Sequence, residues 1–199
     1  GTWAIPISIG LKKESAKKLM TTKTDKIKSK DTAIVNFGRH GFYRVKYDED
    51  TLFDLKSSII SKEISHIDRW AIQNDLFAIC VSGNQPLKNY LDFADAYNEE
   101  DNYLPAMNVA NNLNFLYFLT FFEDFNHEIR DYGLNYLRKT LERLTWTPKK
   151  GEKNTDSLLR SYCIAALGKM DDEEVIAKAE QMFQQFQKNS RSEEHTSEL

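Results

Sequence analysis

The chain has 199 residues, a formal net charge of −3, and only eight glycines and four prolines. This length suits one or two domains, and so few chain-breaking residues exclude collagen and disordered linkers and favour long helices. The charge leaves no broad basic face for nucleic acid, and no apolar run approaches the length of a membrane span, so we expect neither partner.

The first 48 residues show the alternating pattern of β-strands. Large and small side chains alternate over residues 3–10, where Pro6 lacks one ladder donor and places the strand at or near a sheet edge. Residues 32–37 and 42–47 are candidate strands on either side of a glycine-bracketed turn, which predicts a β-hairpin. Three or four strands are too few for a closed sandwich, so we interpret residues 1–48 as the end of a β-sandwich domain.

From Asp50 onward the apolar period changes to about 3.6 residues, which is the period of an α-helix. The caps expected for the last two helices are Asn154 or Thr155 and Asp171 or Asp172. Antiparallel helix pairs with short connections usually stack as a curved array. We therefore expect a mostly α fold, with an α-solenoid-like helical array over residues 49–188 after the partial β-sandwich. The predicted helices cover about 50–60, 66–82, 86–98, 103–119, 123–144, 154–168 and 172–186.

Residues 189–199 depart from this helical pattern, because they contain no apolar period. Residues 191–199 resemble the translation of a common short-read sequencing adapter. We interpret the tail 189–199 as such an artefact, and a disordered natural terminus is the alternative.

The sequence contains no recognisable catalytic motif. A helical zinc peptidase site needs His-Glu-x-x-His, so that two imidazoles share one helix face. The nearest string, His127-Glu128-Ile129-Arg130-Asp131, has a carboxylate where the second imidazole is required, which favours a surface helix. We therefore expect no catalytic, cofactor-binding or metal-ligating residue in this chain.

Three other features leave two interpretations each. The acidic run 99–101 is typical of a solvated loop rather than a catalytic pair. Asp68-Arg69 and Arg44 are candidates for structural ion pairs or for binding a substrate anion. The aromatic-rich segment 113–122 favours core packing between helices, and a groove for a hydrophobic peptide is the alternative.

An ordered series of residues resembles one known family. The series is Trp3-x-Ile5-Pro6-Ile7, Asn36-x-Gly38-x-x-Gly41-Phe42-Tyr43-Arg44-Val45-x-Tyr47, Asp68-Arg69, Asn74-Asp75-x-Phe77-Ala78 and Gly83. It resembles the C-terminal half of the zinc (gluzincin) aminopeptidases of the alanyl and puromycin-sensitive type, most nearly the archaeal tricorn-interacting aminopeptidases. The resemblance covers about residues 1–187.

The resemblance implies that this chain is a C-terminal fragment of an enzyme that removes N-terminal residues from peptides with a zinc-polarised water. The zinc and amine-binding motifs of the family lie upstream, so the fragment would hold no zinc and be inactive alone. Its partners would be the missing N-terminal and catalytic domains and, through the parent enzyme, peptide substrates. In the family the helical domain closes over the active site and limits access by large substrates.

Two arginines of the helical part are candidates for contacts to peptide carboxylates. Arg138 and Arg160 carry guanidinium forks that match a carboxylate, and inter-helix ion pairs are the alternative role. A free-standing helical-repeat module that binds peptides or proteins is the competing function. Two isolated cysteines and the lack of a signal peptide lead us to expect a cytoplasmic protein.

Overall fold

The computed structural model describes residues 3–11, 14–27 and 32–196, with side chains described over 3–10, 15–27 and 32–188. The described chain is mostly helical and carries a small three-stranded antiparallel sheet near its N terminus. Residues 197–199 of the predicted tail lie outside this description.

The sheet is built around the strand predicted over residues 3–10. This strand, β1 (Ile5–Leu11), pairs antiparallel with β2 (Glu14–Met20) along its length and with β3 (Ile34–Val35) only at its far end. Among the described residues, Pro6 therefore lies where β1 pairs with a strand on one side only, which suits a residue without an amide hydrogen.

The predicted hairpin of residues 32–37 and 42–47 is wrong. Its first strand shortens to β3, because Asn36 takes a left-handed conformation (φ 61°) and a 3-10 turn follows at Phe37–Arg39. Residues 42–47 are not a strand, although their alternating burial is real. The more buried residues are Tyr43, Val45 and Tyr47. Side chains from elsewhere bind the backbone of this segment in place of a neighbouring strand.

The helices follow the sequence periodicity closely, since each needs one apolar stripe and a polar remainder. The largest difference is in the last helix, which continues ten residues past its predicted end at residue 186. A 3-10 turn at Asp95–Tyr97 also replaces the end of the third predicted helix, and the fifth helix starts later than predicted. The seven helices of the described residues are α1 (Glu49–Ile60), α2 (His66–Val81), α3 (Leu87–Ala94), α4 (Tyr103–Leu119), α5 (Asn126–Leu144), α6 (Asn154–Lys169) and α7 (Glu173–Thr196).

Side-chain caps fix several helix starts. Asp48 accepts a hydrogen bond from the Thr51 amide at 2.8 Å, and Asp172 accepts one from the Val175 amide at 2.9 Å, as predicted for the last helix. The caps predicted for α6 are wrong, because Lys153 occupies that position without a side-chain bond. Gly83 has φ 75° just after α2, the left-handed conformation that ends many helices.

The chain divides into two compact units, residues 1–112 and 113–199, and α4 crosses the division. In the first unit α2 packs on α3, with a core that includes Leu55, Ile59, Ile72 and Tyr90. In the second, α5 packs on α6 and α6 on α7. The domain boundary predicted near residue 48 stays a prediction.

A buried polar network ties three helices of the first unit together. The Tyr90 hydroxyl donates to Gln73 Oε1 at 3.1 Å, and the Asn112 amide donates to both groups at 3.0 and 3.2 Å. Gln73 in turn donates to Asn108. Since buried polar groups must find partners, this network fixes the mutual register of α2, α3 and α4.

Two sequence expectations concern the ends and surfaces of the helices. α7 continues as a helix past residue 189 to Thr196, so the backbone of the predicted tail is helical up to that residue; its foreign origin stays a prediction. Among the residues that the structure describes, no helix combines the length and the apolar character that crossing a membrane requires.

Candidate functional site

Several residues of the family-like series meet at one place, around two buried carboxylates of α2. Asp68 and Asp75 lie seven residues apart, so two helical turns bring them to the same face, and both are about 1% exposed. This face lies against the segment 36–47. We call the residues gathered there, Asn36, Arg39, Gly41, Arg44, Asp68 and Asp75, the junction cluster.

Asp75 is the centre of the junction cluster. Arg39 clamps its carboxylate with both terminal nitrogens, at 2.6 and 2.7 Å. Arg44 adds a third bond at 3.1 Å, and the Val45 amide donates to the same carboxylate at 3.0 Å. One buried anion thus holds two cations and a backbone amide of the extended segment on α2.

Asp68 and Asn36 shape the turn that precedes the extended segment. Asp68 accepts from the Gly38 amide at 2.7 Å and from the Ser65 hydroxyl at 2.7 Å, so one carboxylate serves both the turn and the start of α2. The Asn36 side chain accepts a hydrogen bond from the Gly41 amide at 2.7 Å and donates one to the Gly41 carbonyl at 2.9 Å. These bonds replace the strand ladder that the alternating pattern predicted.

Arg69 faces a different partner from its neighbour Asp68. Its guanidinium clamps Glu100 at 2.6 and 2.7 Å and donates to the Ile64 carbonyl at 2.6 Å. Glu100 is therefore buried, and the expectation of a solvated loop at 99–101 is wrong for this residue, because the guanidinium fork compensates the loss of water.

The electrostatics of the junction cluster favour a structural role. The hydrogen bonds to Asp75 raise the pKa of Arg39 above its ordinary value, so the guanidinium stays charged at any physiological pH. Burial raises the pKa of Tyr47, whose hydroxyl bonds the backbone of Val35. Of the two interpretations left open, the contacts favour structural ion pairs for Arg69, with Glu100, and for Arg44, with Asp75. Asp68 instead accepts hydrogen bonds from the Gly38 amide and the Ser65 hydroxyl.

Arg160, one of the two candidate substrate contacts, lies buried in the second unit. Its terminal nitrogens clamp Glu152 at 2.5 and 2.8 Å, and its Nε donates to the Thr145 carbonyl at 2.8 Å. The ion pair raises the pKa of Arg160 and lowers that of Glu152. The side chain thereby ties α6 to the 145–152 loop.

Arg138, the other candidate, lies on α5 with about half of its side chain exposed. Its Nε donates to Asp172 at 2.6 Å, and Asp172 also caps α7. Arg138 therefore joins α5 to the start of α7 while part of its guanidinium surface faces solvent. Contact of either arginine with a peptide carboxylate stays a prediction.

The described residues contain no group of three His, Cys, Asp or Glu side chains close enough to hold a metal ion. In the string that approaches a zinc motif, His127 lies near the Asp124 carbonyl through Nδ1, and Asp131 lies 3.7 Å from Arg130. Both free thiols are buried, and burial raises the pKa of Cys163 to about 12.

The aromatic-rich segment is only half buried. Leu113, Leu116 and Tyr117 lie in the core of the second unit, as core packing requires. Large apolar side chains of α4 and of the turn after it remain exposed. They are Phe115, Phe118, Leu119, Phe121, Phe122 and Phe125, which we call the α4 patch.

The chain belongs to the family of the ERAP1-like C-terminal domain, whose model matches residues 33–199. This match covers α1 to α7 together with the segment that forms the junction cluster. The resemblance stated from the residue series is thereby confirmed.

Relatives of this family are aminopeptidases and associated factors. The chain is 28% identical to aminopeptidase M1-B of Oryza sativa over 96% of its length, and 31% identical to the tricorn protease-interacting factor F2 of Thermoplasma acidophilum over 86%. Aminopeptidase M1 of Arabidopsis thaliana is 30% identical over 76%. The matches lie in the C-terminal part of these relatives, and the chain spans less than a quarter of their length.

Sequence reasoning missed the central role of Asp75 and the burial of Glu100. One signal was present, because two aspartates seven residues apart on an otherwise apolar face need buried cationic or amide partners. Arg39 lies within the glycine-bracketed turn and Arg44 lies three residues after it, and both were available cations. What the sequence did not indicate is that the segment meets α2 rather than a neighbouring strand.

Proposed function

We propose that this chain works as the C-terminal part of a zinc aminopeptidase that removes N-terminal residues from peptides. The observation that carries the proposal is the family match over residues 33–199 together with aminopeptidase relatives of more than four times the matched length. The ordered meeting of the motif residues at the junction cluster supports it, since the series marks a shared fold and not a chance string.

Within the parent enzyme this part caps the cavity around the active site. The helices would continue as a solenoid-like array, and the small sheet would complete a β-sandwich with strands from upstream. Such a cap limits the entry of large substrates and contacts the far end of the bound peptide. Arg138 is the better-placed candidate for that contact, because about half of its side chain is exposed, whereas Arg160 is buried against Glu152.

Zinc would be held by the parent and not by this part. The described residues do not fit a zinc site, because they bring no three ligands together, and we assign no step of the hydrolysis to them. Two buried free thiols support a reducing, cytoplasmic location for the parent.

A direct experiment compares the purified chain with a chimera. The chain with added zinc is expected to show no turnover of aminoacyl-nitroanilides, and measurable turnover would contradict the proposal. In the chimera, residues 33–188 replace the matching segment of the Thermoplasma acidophilum relative. We expect a folded enzyme that still cleaves short substrates.

The cap role is tested in the same chimera with Arg138→Gln. We expect a lower kcat/KM on long peptides and an unchanged value on aminoacyl-nitroanilides, since only a long peptide reaches the cap. Lys139→Gln, the exposed neighbour on α5, is the matched control. Equal kinetics of both variants on long peptides would remove Arg138 from the substrate contacts while leaving the family assignment untouched.

One observation favours the competing function, a free-standing module that binds peptides or proteins. The α4 patch exposes six large apolar side chains, three on α4 and three in the turn that follows it. The module would be supported if the chain alone bound apolar peptides with a defined stoichiometry while the chimera remained without activity.

A further inference from the structure

The sheet is joined to α2 through residues 36–47, which we call the strap. The 3-10 turn Phe37–Arg39, near the start of the strap, packs against both β1 and α2. Within the part of the chain that the structure describes, no strand packs closely on α2 itself. The connection between the sheet and this helix therefore depends on the strap.

The strap is hydrogen-bonded to the sheet at both of its ends. At its first end, the Asn36 amide donates to the Ser8 carbonyl at 2.7 Å, and the Ser8 hydroxyl donates to the Phe37 carbonyl at 3.0 Å. At its last end, the Tyr47 hydroxyl accepts from the Val35 amide at 3.0 Å and donates to the Val35 carbonyl at 3.3 Å. Because Ser8 belongs to β1 and Val35 to β3, the strap holds both strands.

The middle of the strap is bound to α2 by the two carboxylates of the junction cluster. Asp68 accepts a hydrogen bond from the Gly38 amide. Asp75 accepts one from the Val45 amide and others from the two arginines of the strap. Both carboxylates are buried, so water competes poorly for these bonds. Loss of the Asp75 charge would leave several donors of the strap without a strong acceptor.

Asn36 connects the sheet end of the strap to its middle. Its backbone amide is bound to β1, as described above, while its buried side chain accepts from the Gly41 amide and donates to the Gly41 and Tyr43 carbonyls. A continuous path of hydrogen bonds thus runs from Ser8 through Asn36 to the part of the strap that Asp75 holds.

We propose that the strap couples the sheet to α2, so that β1, β3 and the strap open and close together and the Asp75 carboxylate controls this opening. Coupling of this kind is reciprocal: release of Asp75 loosens the contact with β1, and a weaker contact with β1 loosens the bonds to Asp75. For the parent enzyme, and there resting on the proposed function, the coupling means that the β domain and the first helices of the cap move together.

Amide hydrogen exchange followed by NMR tests the coupling in the chain itself. Each rate is divided by that of the Phe93 amide in the core of α3, which reports opening of the whole first unit. We expect Asp75→Asn to raise the relative exchange rates of the Val35 and Asn36 amides by roughly tenfold or more. Neither amide is bound to Asp75, so only the strap carries the effect to them.

The reverse experiment starts from the sheet. Ser8→Ala removes one neutral hydrogen bond to the strap and keeps the Ser8 backbone. We expect it to raise the relative exchange rates of the Gly38 and Val45 amides by roughly threefold, although both amides are bound to α2. A Ser8→Ala effect that is confined to the Asn36 amide would show that the two ends of the strap are independent.

Glu100→Gln is the matched control, because it also removes a buried carboxylate that pairs with an arginine. The bonds of Glu100 go to Arg69 and Asn102, outside the strap. We expect the relative exchange rates of Val35 and Asn36 in this variant to stay within about twofold of wild type, as for independent sites. Equal acceleration by Glu100→Gln and Asp75→Asn would overturn the proposal, since the effect would then be a general loss of stability.

Arg44→Gln keeps the proposal testable if Asp75→Asn does not fold. The Arg44 side chain is half exposed, and it contributes one of the bonds to Asp75. We expect a smaller rise of the Val35 and Asn36 exchange rates, by roughly threefold. Unchanged rates at both amides in every folded variant would contradict the coupling. The family match and the activity of the chimera do not enter these measurements, so the coupling and the proposed function can fail separately.

Discussion

At the level of single residues, the Asp75 carboxylate holds the segment 42–47 in place by hydrogen bonds, as a neighbouring strand would in a sheet. Its carboxylate binds Arg39, Arg44 and the Val45 amide, so the extended segment is fixed by side chains of a helix. Such an arrangement depends on one charge, and losing it leaves cations next to a site that water reaches poorly.

Replacing this charge tests how much it contributes to the stability of the fold. Asp75→Asn keeps the shape but leaves Arg39, whose side chain is only 20% exposed, without its counter-ion. We expect the free energy of unfolding to fall by about 3 kcal/mol, measured by urea denaturation. Asp92→Asn, which breaks the exposed Lys88–Asp92 pair, is the control and should cost less than about 0.5 kcal/mol. Equal losses would mean that the junction cluster is not a stabilising centre.

Gly41 supports a second residue-scale prediction, because a Cβ there would lie 2.1 Å from the Tyr43 ring. Gly41→Ala therefore forces the ring or the segment to move, at a cost of about 1–3 kcal/mol. Gly168→Ala is the matched control, since its Cβ meets nothing within 4 Å and α6 gains about 0.5–1 kcal/mol of helix stability. Thermal unfolding of both variants measures the contrast, and melting temperatures that shift in the same direction would contradict it.

At the scale of elements, sequence periodicity predicted the helices and failed at the hairpin. The bounds of α4 are those expected, because a 17-residue apolar pattern between turn signals is local information. The alternation over residues 42–47 matches their alternate burial, although the strand that it predicted does not form. It did not reveal the partners, because the backbone hydrogen bonds to Asp75 and Gln85 depend on residues far along the chain.

The link between α6 and the preceding loop predicts a pH dependence. The hydrogen bonds from Arg160 hold the pKa of Glu152 below its ordinary value. A carboxylate with a lowered folded pKa stabilises the fold at pH values above the unfolded pKa, and this contribution is lost as the pH falls through the folded pKa. We expect Glu152→Gln to destabilise the chain at neutral pH and to differ progressively less from wild type on acidification.

Urea denaturation over a series of pH values measures this effect. Glu142→Gln, a substitution of an exposed residue on α5, is the control. Its free energy of unfolding should differ from that of wild type by the same amount at every pH. A constant difference between wild type and Glu152→Gln from neutral to acid pH would show that the ionised Glu152 side chain does not stabilise the α6 link.

At the scale of the whole molecule, the residue series predicted the family, and the family match confirms it. The roles of individual residues were harder to predict. Arg138 and Arg160 were chosen because they are arginines on helices, and the sequence does not tell an arginine that clamps Glu152 from one that is half exposed. That difference arises from how α5, α6 and α7 pack, which sequence periodicity does not encode.

The sheet is where the molecule is expected to open first. β2 has β1 on one side and no described strand on the other, and its side chains from Ser15 to Leu19 are exposed. An edge strand with solvated hydrogen bonds opens more readily than a buried helix. We therefore expect brief trypsin treatment to cut before Asp48 first, with Lys17 and Lys18 among the early sites.

Mass spectrometry of the fragments over time identifies the order of cleavage. The double substitution Lys17→Gln and Lys18→Gln should move the early cuts to other lysines before Asp48. The reason is that trypsin reaches the whole sheet region and not one peptide bond alone. Arg69 and Arg160 are buried and should be cut last. Early cuts within α5 or α6 would show that the helices open before the sheet. A segment 1–48 that stays intact would likewise contradict the expectation that the sheet opens first.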